Sequence, residues 1–214
     1  MPTVVTKTLD STGAGDYTTF SAWASFVGSD LVTADEQHIL ECVDTGAYFD
    51  MGTSTLDMYG VSTDATRNII IRAQSGSETN LTKGSGFQFY SAEYYDHLVG
   101  GSTNYITYEN LEFVSPNATQ TAGITNTHDM TFTNCLFEGG KYVITNASNT
   151  TYDHLYDNCK FEQVVTSNYS HLFTTWGNEA HDVIFRDCEF ISDASNEYNS
   201  TMLELSQSYN YTFE

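Results

Sequence analysis

The chain has 214 residues, 28 of them acidic and only 7 basic, which gives a formal net charge of −21. Nucleic acids and anionic membrane surfaces are bound through clustered Lys and Arg, so neither is an expected partner. Hydrophobic residues make up 40% of the chain and aromatic residues 14%, which excludes a disordered tail and predicts a sizeable core. Because no apolar run approaches the roughly 20 residues of a membrane span, and the first residues lack a signal-peptide pattern, we expect no membrane insertion.

In chain order, the first predicted elements are a helix and two strands. Phe20, Trp23 and Phe26 recur at i, i+3 and i+6, which is typical of a short amphipathic helix with Thr18 or Thr19 as its N-cap. Residues 37–43 predict a strand, and residues 45–48 predict a turn. The run 67–73 is almost entirely apolar, so it predicts a strand that is covered on both faces.

A repeat runs through the second half of the chain. In four segments an aromatic or large apolar residue is followed two positions later by Asn or Asp, and three positions after that by Phe; these segments are 106–113, 130–137, 154–161 and 183–190. A fifth copy begins at Tyr211. Large residues alternate before the Asn or Asp and change parity after it, which predicts two short strands that meet at a corner.

The corner residues are expected to be Asn110, Asn134, Asn158 and Asp187, because Asn and Asp tolerate the left-handed conformation best after Gly. Repeats of about 24 residues built from short strands and corners predict a parallel β-helix. Stacking at about 4.8 Å would then place like side chains over one another and let the corner amides bond from repeat to repeat. The predicted columns are Tyr108, Phe132, Tyr156, Phe185 and Phe213; Phe113, Phe137, Phe161 and Phe190; and Leu111, Cys135, Cys159 and Cys188.

The opening of the chain resembles that of the pectin-lyase-like right-handed β-helices, pectinesterases included. The resemblance is carried by residues 15–20, a helix, a strand, the turn 45–48 and the strand 68–71, and the later repeats are similar to the same superfamily. It implies an all-β, single-stranded right-handed parallel β-helix with a short N-terminal capping helix. Residues 1–36 would form the cap and residues 37–214 the β-helix, with an incomplete last turn.

The resemblance implies no single activity, because this fold carries lyases, hydrolases, adhesins and phage appendages. Similar openings in tail-spike and other virion proteins imply a non-enzymatic protein at a virion surface or in an extracellular setting. Such a protein would associate with itself, as a homotrimer in similar spikes, or with other virion proteins, and it would contact a host surface glycan. The alternatives are a secreted polysaccharide lyase or glycoside hydrolase, and a cell-surface adhesin.

The catalytic motifs of the enzymes in this superfamily are not found in the sequence. The Gln-Ala-Val-Ala, Asp-Phe-Ile-Phe-Gly and Arg-Pro-Trp segments of pectinesterases have no counterpart, although the stretch 185–188 is similar to the residues before their catalytic Asp. The three arginines, Arg67, Arg72 and Arg186, offer no obvious base of the pectate-lyase kind. The sequence therefore favours a non-enzymatic role.

Three carboxylates stand at one repeat position. Asp129, Asp153 and Asp182 each precede their corner residue by five positions. Carboxylates on neighbouring strands would suit Ca²⁺, or the acid and nucleophile of a retaining glycosidase. The favoured interpretation is that each Asp caps a turn. We therefore expect no cofactor, with Ca²⁺ as the alternative.

The longest repeat contains the predicted glycan-binding residues. Insertions in such folds project as loops, and loops carry much of the binding in these proteins. Tyr169 and Trp176 would stack on sugar rings, with Asn178 and Glu179 as hydrogen-bonding partners, while the alternative buries Trp176 in the core. Further candidate platforms are Tyr94, Tyr95, Tyr105, Tyr198 and Tyr209. The four cysteines are expected to be free and buried.

Overall fold

The computed structural model describes residues 1–52, 56–58, 60–91, 98–100, 103–115, 124–126, 129–139, 142–147, 153–163, 171–176, 181–192, 201–204 and 209–214. Across these ranges the chain is mostly β-strand with two short helices, so the protein is all-β as predicted. Neither of these two helices has the length and apolarity needed to cross a membrane.

The first half of the chain contains both helices and short strands. In order these are β1 (Thr3–Leu9), α1 (Phe20–Val27), α2 (Leu31–Ala34), β2 (Glu36–Cys42), β3 (Phe49–Asp50), β4 (Leu56–Asp57), β5 (Ile69–Ala73), β6 (Gln88–Tyr90) and β7 (Leu98–Gly100).

The second half consists of strands that recur in groups of three. They are β8 (Ile106–Glu109), β9 (Glu112–Ser115), β10 (Ile124–Asn126), β11 (Met130–Thr133), β12 (Leu136–Gly139), β13 (Tyr142–Ala147), β14 (Asp153–Asp157), β15 (Lys160–Gln163), β16 (His171–Trp176), β17 (His181–Arg186), β18 (Glu189–Ser192), β19 (Thr201–Glu204) and β20 (Tyr209–Phe213).

The strands pair in parallel, and consecutive strands of the repeats belong to different sheets. The largest sheet has the order β1-β2-β5-β8-β11-β14-β17-β20, and a six-stranded sheet has the order β18-β15-β12-β9-β6-β3. Two three-stranded sheets, β10-β7-β4 and β13-β16-β19, take the third strand of each group. Pairing joins equivalent positions of successive repeats, with Phe132 opposite Tyr108 and Phe161 opposite Phe137.

The predicted N-terminal helix is present, and its buried face differs from the prediction by one residue. Thr19 is the N-cap, with extended backbone (φ −136°), and its side chain accepts a hydrogen bond from the Ala22 N–H at 3.3 Å. Phe20, Trp23 and Val27 are buried, whereas Phe26 is 43% exposed. At 3.6 residues per turn, position i+7 returns to the starting face more closely than i+6 does.

Two strands differ from what the sequence predicts. β1 lies within the segment predicted as a cap, and it pairs along its whole length with β2 as the first strand of the largest sheet. β5 was predicted to be covered on both faces, and that prediction is wrong. Ile69, Ile71 and Ala73 are buried, while Ile70 and Arg72 are only half-buried on the outer face.

The core contains two files of stacked aromatic rings. Tyr108, Phe132, Tyr156, Phe185 and Phe213 follow one another at 5.0 to 5.2 Å between ring centroids, with interplanar angles of 7° to 15°. The rings of Phe113, Phe137, Phe161 and Phe190 are stacked at 4.8 to 5.1 Å, and Phe89 extends this file at 5.8 Å. Edge-to-face contacts join the two files, as at Phe132 and Phe137 (5.5 Å, 75°). Both geometries are favourable for aromatic pairs.

The corner residues all have left-handed backbone conformations. The φ angles are 59° at Asn110, 53° at Asn134, 51° at Asn158 and 50° at Asp187. The Asn134 amide nitrogen donates to Oδ1 of Asn110 at 2.7 Å, and the Asn158 amide nitrogen donates to Oδ1 of Asn134 at 2.9 Å. These side-chain hydrogen bonds join Asn110, Asn134 and Asn158 into a ladder.

The cysteines are free thiols in the interior. Cys42, Cys135 and Cys159 are buried and Cys188 is half-buried. Each of the last three thiols donates to the backbone oxygen of the aromatic residue one repeat earlier, for example Cys159 Sγ to Phe132 O at 3.5 Å. Burial raises the pKa of the Cys42 and Cys159 thiols well above the ordinary value, so both are protonated at neutral pH.

A loop, residues 78–86, crosses the outer face of the six-stranded sheet and is tied to one carboxylate. Glu112 is fully buried, and its two oxygens accept hydrogen bonds from the backbone N–H groups of Gly84 (2.8 Å), Ser85 (3.1 Å) and Gly86 (3.0 Å). The Thr79 hydroxyl donates to the same carboxylate at 2.9 Å. A buried charge is tolerated when donors surround it in this way.

Candidate functional site

One column of polar side chains lies near the N-terminal ends of the strands of the largest sheet. Register pairs Ile69, Ile106, Met130 and His154 on successive strands, so the residues that precede them, Asn68, Tyr105, Asp129 and Asp153, occupy equivalent positions. Asp153 is in turn the direct partner of Asp182, which pairs with Asn210. The three predicted carboxylates therefore stand side by side on three adjacent repeats.

Part of this column borders a shallow groove on the outer face of the sheet. The groove has a volume of about 280 Å³. It is lined by Asn68, Tyr105, Ile106, Thr107, Asp129, Met130, Thr131, Asp153, His154, Leu155 and Ile184. The alternation of the strands turns Thr107, Thr131, Leu155 and Ile184 outward, while the aromatic file faces inward. The groove consequently has a floor of methyl and hydroxyl groups with carboxylates along one side.

Tyr105 is the exceptional residue of the groove. Its φ angle is 55°, a conformation that is rare for a bulky side chain, and its side chain is 42% exposed. Its carbonyl oxygen accepts the Ile69 N–H at 3.3 Å, so the backbone there belongs to the hydrogen bonding of the sheet. A strained, exposed aromatic residue on a rigid sheet is the kind of feature that concentrates at functional sites.

The first carboxylate of the column has a hydrogen-bonding role within the backbone. Oδ1 of Asp129 accepts the N–H of Asp153 at 2.9 Å, so this side chain bridges two repeats. Among the residues that the structure describes, no group of three or more His, Cys, Asp or Glu is arranged to hold a metal ion. The capping interpretation predicts a bond to the backbone of the same turn, whereas this bond reaches the backbone of the next repeat.

The arginines are held by carboxylates. Arg72 pairs with Glu41 at 2.7 Å, and Arg67 pairs with Asp64 and with Asp35. Arg186 lies between two acids, at 3.5 Å from Asp157 and 3.1 Å from Glu214.

These ion pairs affect whether an arginine could act as the base of a lyase. Glu214 and Asp157 raise the pKa of Arg186, and Asp64 raises that of Arg67. A base of the pectate-lyase kind must release its proton, and these neighbours oppose that release.

The predicted aromatic glycan site falls mostly outside the described part of the chain. Tyr169, Asn178 and Glu179 lie outside the described residues, as do Tyr94, Tyr95 and Tyr198. Trp176 is the last residue of β16. Of the further platforms, Tyr105 lies in the groove and Tyr209 begins β20. No local pattern distinguishes Tyr105 from the other predicted platforms, because most of the residues that line the groove with it come from other repeats.

Comparison of the chain with family models, with curated proteins and with solved structures gave no match in any of the three.

Proposed function

We propose that the chain is a right-handed parallel β-helix of the pectin-lyase-like kind. Three features of the described residues support this architecture: parallel pairing between equivalent strands of neighbouring repeats, left-handed Asn and Asp corners, and two files of stacked rings. Each repeat contacts mainly its neighbours, and such a fold gives a stiff rod with long outer faces. The right-handed sense of the coil is part of this proposal.

We further propose that the outer groove contacts a surface glycan without cleaving it. The observation that carries this function is Tyr105, an exposed ring held at φ 55° beside a groove of hydroxyls, amides and carboxylates. The C–H face of a sugar packs on the negative face of an aromatic ring, and the polar side chains take its hydroxyls. Equivalent positions recur from strand to strand, at about 4.8 Å, so a linear glycan can lie along the rod.

A non-enzymatic role is favoured by how the charged groups are used. Asp129 accepts a backbone N–H, and the three arginines are paired with acids. Among the residues that the structure describes, the groove lining includes Asp129 and Asp153 but no Lys or Arg. The competing enzyme would use Asp129 and Asp153 as the acid and nucleophile of a retaining glycosidase.

We place the protein at a virion surface or in a tail appendage. Only 16% of residues are charged, and the net charge of −21 disfavours nucleic acid as a partner. The similarity of the opening residues to tail-spike proteins supports the same setting. In it the chain associates with itself, as a homotrimer in similar spikes, or with other virion proteins. Mass spectrometry of purified particles tests the setting, since absence of the chain from virions would refute it.

The groove is tested by titrating the protein calorimetrically with a panel of defined neutral and uronic-acid oligosaccharides. We expect binding of at least one neutral oligosaccharide, weakened about tenfold by Tyr105→Gly, which removes the ring and relieves the backbone. Tyr105→Phe keeps the platform and is expected to bind nearly as well. The matched control is Phe26→Ala, which removes an exposed aromatic ring that lies outside the groove.

Two results would contradict the proposal. Equal binding by Tyr105→Gly and the unmodified protein would show that the groove does not take part in glycan recognition. Release of new reducing ends or unsaturated products, abolished by Asp153→Asn, would show that the protein is an enzyme.

A further inference from the structure

A second cavity, also of about 280 Å³, lies where the N-terminal turn of α1 meets the segment 48–51. It is lined by Ser11, Thr18, Thr19, Phe20, Ser21, Tyr48, Phe49, Asp50 and Met51. None of these residues lines the groove described above. Any ligand of this cavity would therefore bind independently of the groove.

An aromatic platform forms one wall of the cavity. Tyr48 is 50% exposed, and its ring centroid lies 4.1 Å from that of Tyr90 at an interplanar angle of 33°. This contact holds the Tyr48 ring in place before any ligand arrives, which lowers the entropic cost of binding. Phe20, Phe49 and Met51 are buried core residues that contribute the apolar part of the lining.

Short polar side chains surround this apolar wall. Ser11, Thr18, Thr19 and Ser21 contribute hydroxyl groups, each of which both donates and accepts hydrogen bonds. Asp50 contributes the carboxylate, and its Oδ1 is oriented by accepting the Gly52 N–H at 2.9 Å. The lining thus combines one exposed aromatic residue, several hydroxyl groups and one oriented acceptor.

We propose that this cavity binds a single pyranose ring of a neutral sugar. Its size of about 280 Å³ lies just below the roughly 300 Å³ at which pockets for drug-sized ligands begin, which suits a ligand as small as one ring. A sugar has an apolar C–H face for Tyr48 and several hydroxyls for the polar wall. An anionic sugar would meet Asp50 on a chain with a net charge of −21, and repulsion disfavours it.

A small cation is the competing occupant, because Asp50 is negative and an aromatic ring attracts positive charge. Recognition of such cations characteristically uses a cage of several rings. Among the lining residues that the structure describes, Tyr48 is the one exposed ring, and four Ser and Thr side chains carry aliphatic hydroxyls. Four hydroxyls match the donors and acceptors of a polyol better than they match a methylated ammonium group.

The test is a protein-observed NMR titration with the methyl glycosides of glucose, galactose and mannose. Methyl glucuronide and choline test the anionic and cationic alternatives. We expect at least one neutral glycoside to shift the amides of residues 18–21 and 48–52, while methyl glucuronide and choline leave them unchanged. Tyr48→Ala should weaken this binding about tenfold, and Tyr48→Phe should retain most of it.

The controls separate this cavity from the groove. Tyr105→Gly should bind the glycoside as the unmodified protein does, and thermal unfolding of Tyr48→Ala should show that the variant folds. The inference fails if none of the neutral glycosides shifts these amides, if choline alone does so, or if Tyr48→Ala binds normally. Binding that is lost in Tyr105→Gly and kept in Tyr48→Ala would support the groove and refute this cavity.

Discussion

The side-chain amide of Asn134 donates to the side-chain oxygen of Asn110, one repeat earlier, at 2.7 Å. Both residues have positive φ angles, and the backbone N–H of Asn134 donates to the Asp157 oxygen of the next repeat at 2.8 Å. A single residue type therefore meets two requirements of the corner, because Asn tolerates the left-handed conformation and also carries a donor and an acceptor. Substitutions at the corner residues can therefore test these two requirements.

Replacing Asn134 by Asp keeps the size of the side chain and removes its donor. We expect the free energy of unfolding to fall by about 1–2 kcal/mol, because the Oδ1 of Asn110 loses its partner and faces a carboxylate. Chemical denaturation measures the change. Asn134→Gly is the companion variant, since it keeps the backbone preference and loses the bond. Equal stability of Asn134→Asp and the unmodified protein would show that the ladder does not contribute.

Asp187 is the corner residue that lacks an amide. Asn134 and Asn158 each donate to the corner residue one repeat earlier, and a carboxylate at position 187 cannot donate to Asn158 in the same way. We expect Asp187→Asn to stabilise the protein by about 0.5–1.5 kcal/mol through one added hydrogen bond. The gain should disappear when Asn158 is also changed to Ala, so a double-mutant cycle by denaturation decides the matter. A gain that persists in that background would assign the effect to charge alone.

Glu112 holds the loop 78–86 against the six-stranded sheet. Glu112→Gln places an amide group among the N–H donors of Gly84, Ser85 and Gly86, and we expect a loss of about 1–3 kcal/mol. Denaturation measures stability, and hydrogen exchange at residues 84–86 reports whether the loop opens first.

Glu189 provides the matched control for Glu112. It lies in the same column, two strands beyond Leu136, and is exposed. Glu189→Gln should change the stability by less than about 0.5 kcal/mol. Similar losses in both variants would contradict a special role for Glu112.

The position of a ring in its file sets the cost of removing it. Phe137 is buried between Phe113 and Phe161, each at 5.1 Å, and Phe137→Ala should cost about 3–5 kcal/mol. Phe213 is 52% exposed, and Phe213→Ala should cost about 1 kcal/mol because only half of its ring is removed from water. Thermal or chemical unfolding measures both. Equal losses of unfolding free energy in the two variants would contradict a dependence of stability on the position of a ring in its file.

Acid should destabilise the fold partly through Asp64. The Arg67 guanidinium and the backbone N–H groups of Arg67 and Thr66 lower the pKa of this carboxyl well below its ordinary value. Its stabilising contribution is present above the unfolded-state pKa, near 3.9, and is lost as the pH falls below that value.

We therefore expect Asp64→Asn to show a shallower fall in unfolding free energy between pH 5 and pH 2 than the unmodified protein, in the range set by these pKa values. Arg67→Met removes the largest cause of the low pKa and should flatten the same part of the profile. Parallel profiles for all three proteins would show that the Asp64 contact has no linkage to folding.

Local patterns in the chain were enough to predict the repeats. Parity changes at Asn110, Asn134, Asn158 and Asp187 predicted the corners, because side-chain direction alternates along a strand and left-handed φ angles favour a few residue types. The aromatic files followed from the repeat length alone. The two short strands predicted in each of the four repeats agreed as well, from β8 and β9 to β17 and β18.

The sites could not be read in this way, because they join residues that are distant along the chain. Tyr105 and Asp153 line one groove although they lie two repeats apart, Glu112 accepts the Gly84 N–H of the loop, and Tyr48 and Ser21 line one cavity. A repeat length predicts which residues of successive repeats stack on one another. Grooves and cavities depend instead on where irregular segments pack. That packing is a property of the folded chain, since long-range burial and hydrogen bonding, and not local preference, select it.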